Sequence, residues 1–107
     1  MKPFDTLLQI DTNLTEWIVS AAAATDEQRI QMTRVLALRA DLDGQLNALV
    51  AYRLQMAVVS LPEENDRLAA VATTMQSIAK SIDTVQSVLA AVGTAVSIAA
   101  KFASIVT

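Results

Sequence analysis

Apolar residues recur three and four positions apart along most of the chain, the spacing of one helix face. In the second half the pattern runs without a miss through Leu68, Val71, Met75, Ile78, Ile82, Val85, Leu89, Val92, Val96, Ala99, Ala103 and Val106. A straight helix drifts against a seven-residue repeat. A seam sustained this long therefore predicts one helix, gently supercoiled around a partner. The first half carries a weaker seam. Leu7, Ile10, Leu14, Trp17, Ala21 and Ala24 stay in phase with Val35, Leu38, Leu42, Leu49, Tyr52, Met56 and Val59, while Gln28, Gln31 and Gln45 occupy seam positions. Unbroken phase across "AAAATDEQ" predicts a nearly continuous helix from about Pro3 to Ser60. One local signal competes with it. Thr25 and Gln28 have the spacing of a capping box, and Asp26 and Glu27 suit the first turn of a new helix.

The clearest turn is "VSLPEEND", residues 59–66. Pro62 disfavours helical angles at Leu61 and is itself tolerated in a first helical turn. Ser60 with Glu63 forms a second capping box, and Glu63, Glu64 and Asp66 favour the positive end of a helix dipole. A turn this short makes its flanking helices antiparallel. The expected fold is thus all-α and a single domain over 1–107. It is a long antiparallel helical hairpin with helices at about 3–60 and 62–106, or a three-helix bundle where the first helix breaks near 24–26.

The last stretch, "VQSVLAAVGTAVSIAAKFASIVT", is apolar over most of a helix circumference. Val88, Ala91, Ala95, Ile98, Phe102 and Ile105 form a second stripe beside the seam, and Lys101 is the one charge. Such a helix needs cover on more than one side. In a hairpin folded at 60–62, residues 98–106 would lie beside residues 16–24, which are also apolar nearly all round. That arrangement leaves an apolar base for a third helix, further copies or lipid to cover. Trp17, Val88, Leu89, Val92, Ala95, Val96, Ile98, Phe102 and Ile105 are the candidate interaction surface, with Ile98 facing away from the intramolecular partner if the fold is a two-helix hairpin, and ordinary core if a third helix covers it. The stretch is also long enough to cross a bilayer, although it is rich in Ala, Ser and Thr and lacks aromatic or basic flanks. Gly44 and Gly93 interrupt helical patterns, and Gly93 sits in the small-residue run "AAVGTAVS", the composition of close helix packing in water or in lipid.

Composition narrows the function further. Two Gly and two Pro are too few for the turns of a sandwich or barrel. With no Cys and no His there are no thiolate nucleophiles, imidazole bases or usual zinc ligands. Asp41 and Asp43, two apart on a helix, point in different directions. Eight Lys and Arg are scattered against eleven acids, a net charge of −3, which gives no basic stripe for nucleic acid. No phosphate loop or metal spacing is present, so neither catalytic residues nor a cofactor, metal or small-molecule substrate is expected. No signal peptide is visible: acids occupy "PFDTLLQID", where an apolar segment would run. The chain is expected to be soluble, membrane-associated or exported without a cleaved signal. No motif ties it to a known family. The Trp-x-Gly turn of the small helical-hairpin substrates of type VII secretion is absent, and Ser60-Leu61-Pro62-Glu63 stands at the turn instead.

These observations favour a non-enzymatic helical assembly or interaction protein, whose apolar C-terminal helix joins copies of itself or a helical partner. The alternative is a membrane-active protein that inserts that helix, as a pore component or an anchor in lipid.

Overall fold

The computed structural model describes residues 3–51 and 62–106, and the side chains of 5–48 and 62–104. Among them the chain is all-α, as expected. Four helices follow one another: α1 (Pro3–Ser20), α2 (Asp26–Ala51), α3 (Pro62–Ser77) and α4 (Val85–Val106), with a short 3-10 turn at Ile82–Thr84 leading into α4. Pro62 opens α3, as its chemistry predicts; the Ser60 cap and the seam positions Tyr52, Met56 and Val59 lie outside the described residues.

Of the two arrangements open to the sequence, the first half adopts the one with a break. The capping box forms in both directions: the Gln28 backbone N–H donates to Thr25 Oγ1 (3.1 Å), and Gln28 Oε1 accepts from the Thr25 N–H (3.2 Å). The Ala24 N–H also donates to Gln28 Oε1, at 2.8 Å. Three backbone donors around a new helix start are thereby satisfied. The alanines that keep the phase offer little apolar area to hold a straight helix against that cap.

A second break, at 78–84, corrects the expectation of one helix over 62–106. Here Ser81 takes extended angles (φ −141°) and its side chain accepts from the Asp83 N–H. The break also shifts which face of α4 is buried. Val85, Val88, Val92, Ala95, Ala99 and Phe102 are buried at three-four spacing, while Leu89, Val96 and Ala103 of the expected seam are only partly buried. Two apolar registers thus share Val85, Val92 and Ala99, and the bundle uses the one that is out of phase with α3.

The helices form a ring in the order α1, α2, α4, α3, with a smaller diagonal contact between α1 and α4, and the largest interface joins α2 to α4. Asp11 on α1 meets Arg39 on α2, and Glu64 on α3 meets Lys101 on α4, so both of these pairs are antiparallel. Glu16, near the end of α1, reaches Lys80, just past the end of α3, so α1 and α3 run in parallel, as do α2 and α4. The body measures 43 × 23 × 17 Å. One hydrophobic cluster draws on all four helices: Leu7, Ile10, Leu14 and Trp17 from α1, Val35, Leu42 and Leu46 from α2, Leu68, Val71 and Met75 from α3, and the buried face of α4.

Candidate interaction surface

Most of the surface expected from the sequence is turned inward. Trp17, Val88, Val92, Ala95, Ile98 and Phe102 are each at most 1% exposed. Leu89 and Val96 are partly buried, and the side chain of Ile105 lies outside those described. The reason is topological. Each half of the chain folds back on itself, so residues 98–104 do not meet 16–24. Lys101 Nζ instead lies 3.2 Å from Glu64 Oε1 at the start of α3. The apolar stripe containing Ile98 faces the other helices of the same chain, and the expectation that Ile98 faces away from them is overturned.

Trp17 is brought to the opposite end, against the α3–α4 corner. Its indole N–H donates to Thr84 Oγ1 at 2.9 Å, with the Ser81 carbonyl at 3.2 Å as a second acceptor. The Thr84 hydroxyl lies 2.7 Å from both the Ala79 and the Ser81 carbonyls and has one proton to give them. Beside it Lys80 Nζ and Glu16 Oε2 pair at 2.9 Å, half exposed. The polar edge of the indole is therefore buried and hydrogen-bonded.

What α4 leaves outside is a face of small, weakly polar residues. Gln86, Ala90, Ser97, Ala100 and Ser104 are exposed and Gly93 partly so, at four-three-four-three-four spacing. A Cβ built on Gly93 would have nothing within 4 Å, and the same is true of Gly44 on α2. Close packing among the described residues thus explains neither glycine. Lys101 is the one charge on α4, and Glu64, only 15% exposed, engages it together with Arg67. Other large apolar side chains are left in water on α1 and α2: Leu8, Val19, Ile30 and Leu36, with Val19 the most exposed at 81%. They sit off the seams, so periodicity gave no reason to single them out.

One polar cluster lay hidden in the sequence because its members are far apart. Asp11 on α1 approaches Asp43 and Arg39 on α2. Burial raises the Asp11 carboxyl above its ordinary range, and the Asp43 carboxyl raises it further by hydrogen bonding and by charge; Arg39 pulls the other way. That pull is modest, because Arg39 Nε stands 3.8 Å from Asp11 Oδ1 and both atoms are buried without a hydrogen bond. Among the described residues no three potential metal ligands come together. No family model matches this chain, and neither a curated protein nor a solved structure does.

Proposed function

We propose that this chain is a non-enzymatic helical assembly protein, and that α4 joins it to a second copy through its outward face rather than through its buried stripe. The observation that carries the reading is Gly93. A glycine inside a helix costs about 1 kcal/mol against alanine, and here a Cβ would meet nothing within 4 Å among the described residues. Around it Gln86, Ala90, Ser97, Ala100 and Ser104 follow heptad spacing on an exposed face whose one charge, Lys101, is already paired. Small residues at heptad spacing let two helices approach closely and supercoil left-handedly. The face is its own complement, which suits an isologous dimer.

Sedimentation at tens of micromolar tests this reading. The parent should be a dimer or larger, and Gly93→Leu and Ser97→Glu should be monomers of unchanged helicity, because both changes fall on an outward face. A parent that is monomeric across that range overturns the proposal, and so do variants that associate as the parent does.

One observation supports insertion into lipid as the second reading. By length and composition, residues Ile82–Ser104 are apolar enough to cross a membrane, and 39% of an 18-residue apolar window within them is buried. Co-flotation with phosphatidylcholine vesicles and dye leakage from them separates the readings. A lipid-free oligomer that leaves vesicles intact supports assembly in water.

A further inference from the structure

The corner between α3 and α4, residues 78–84, contains neither Gly nor Pro. Every residue in it has ordinary helix propensity. The stop is partly local, since Ser81 caps the 3-10 turn. The rest of it comes from elsewhere in the chain, through the Trp17 N–H on Thr84 and on the Ser81 carbonyl. Meanwhile the apolar seam passes straight through the corner. Ile78, Ile82 and Leu89 continue the phase of Leu68, Val71 and Met75, yet the bundle leaves all three only partly buried. The closed chain therefore buries this apolar seam only in part, across a corner that has neither Gly nor Pro to bend it.

We propose that α4 is exchanged between two copies of this chain. Residues 78–84 straighten, 62–106 become one helix, and the α4 of each copy packs against α2 and α3 of the other. The contacts of α4 are conserved, because the same surfaces meet between chains instead of within one. The differences are confined to the hinge. The Trp17 N–H loses the acceptors that the bent corner presents, and Thr84 leaves the Ala79 carbonyl. In return, backbone hydrogen bonds run through 78–84, and the seam bearing Ile78, Ile82 and Leu89 faces the same seam of the other copy where the two straight helices cross in antiparallel. The register fits. Glu64 and Lys101, paired in the closed chain, are equidistant from residues 82–83, so an antiparallel crossing at the hinge brings Glu64 of one copy to Lys101 of the other. This exchange is independent of the outward face of α4, which points away from the exchanged contacts.

The chain has no Cys, so spin labels can be placed cleanly at Asp66→Cys and Ala100→Cys, both at exposed positions. Protein refolded at high concentration is separated by size, with labelled chains diluted into excess unlabelled ones so that only distances within a chain are read. The monomer should give a short distance, set by the roughly 10 Å spacing of packed helices. The dimer should give about 50 Å, the length of straight helix between the labels at 1.5 Å per residue. Trp17→Phe, and Thr84→Val as the milder change, should raise the dimerisation constant about thirtyfold, because each of the two chains gives up about one net hydrogen bond, worth about fivefold, in its closed form. A Gly-Gly-Ser insertion between Lys80 and Ser81 should lower it, since a longer hinge lets α4 close on its own chain. Ser97→Glu, which blocks association through the outward face, should leave the exchanged dimer intact. In the Ser97→Glu background, where the outward-face dimer is blocked, a dimer with a short distance within each chain overturns the exchange, and so does a Thr84→Val chain that stays monomeric at about millimolar concentration.

Discussion

Replacing Ile98 by Ala removes three carbon atoms from a side chain that is 1% exposed. The lost transfer free energy is about 2.4 kcal/mol at roughly 0.8 per carbon, and the incompletely filled space adds to it, giving about 3–4 kcal/mol. A domain of this size has about 5–15 kcal/mol of stability in all. The midpoint of thermal unfolding should fall by about 12–32 °C, at about 4–8 °C per kcal/mol. The neighbouring residue supplies the control. Ser97 is exposed, so Ser97→Ala should change stability by no more than about 0.5 kcal/mol. Urea unfolding followed by circular dichroism at 222 nm measures both, with equal denaturant dependence showing that the same folded state unfolds. Ile98→Asp should prevent folding outright, because the buried carboxylate would have no partner. If Ile98→Ala and Ser97→Ala unfold within about 1 kcal/mol of each other, Ile98 is not core. The register assigned to α4 would then be wrong.

Gly44→Ala and Gly93→Ala should each stabilise the isolated chain by about 1 kcal/mol in thermal melts, because the added methyl meets nothing within 4 Å; a loss at either position would reveal a neighbour. Thr25→Ala should cost about 1 kcal/mol by removing the side-chain acceptor for the Gln28 N–H, as measured by urea unfolding; an unchanged midpoint would show that the cap does not hold the α1–α2 break. Asp11 should make stability depend on pH in the sense opposite to a salt-bridged carboxylate. Its folded pKa is raised by burial and by Asp43, so the folded chain binds its proton more tightly than the unfolded one. Its contribution is complete below the ordinary carboxylate range and is lost as pH rises through the folded pKa. Asp11→Asn should therefore be more stable than the parent at pH 7, with a smaller gap at pH 4; a variant equally destabilised at both pH values would refute this.

The sequence made helix class and the buried faces of α1 and α3 legible, because those faces depend on local spacing alone. Leu7, Ile10, Leu14 and Trp17 are buried as the period requires, and so are Leu68, Val71 and Met75. The α1–α2 break was visible as an alternative, since the Thr25–Gln28 spacing is a local cap. The α3–α4 break was not. Its strongest contact, Trp17 on Thr84, spans 67 positions, and no window of sequence contains both partners. That one unseen corner carried the largest consequence, because it rotated the buried face of α4 from Leu89 and Val96 to Val88, Ala95 and Ile98. The candidate surface was read from apolar character, which marks burial without saying whose atoms do the burying. The Asp11–Asp43–Arg39 cluster escaped notice for the same reason as the corner: it exists only once α1 and α2 lie side by side.

The position of the one tryptophan also bears on how this chain folds. The α1–α2 and α3–α4 pairs are joined by short connections, so each can form quickly from local contacts. The parallel pairs, α1 with α3 and α2 with α4, require the two halves to find each other across the sequence. Trp17 belongs to the first half, but its N–H is satisfied by Ser81 and Thr84 in the second. Indole emission therefore reports the meeting of the halves, whereas far-ultraviolet ellipticity reports helices wherever they form. In a stopped-flow refolding experiment the ellipticity should rise first, with the blue shift of Trp17 following as a slower phase; coincident traces would mean that helix formation and docking are a single step.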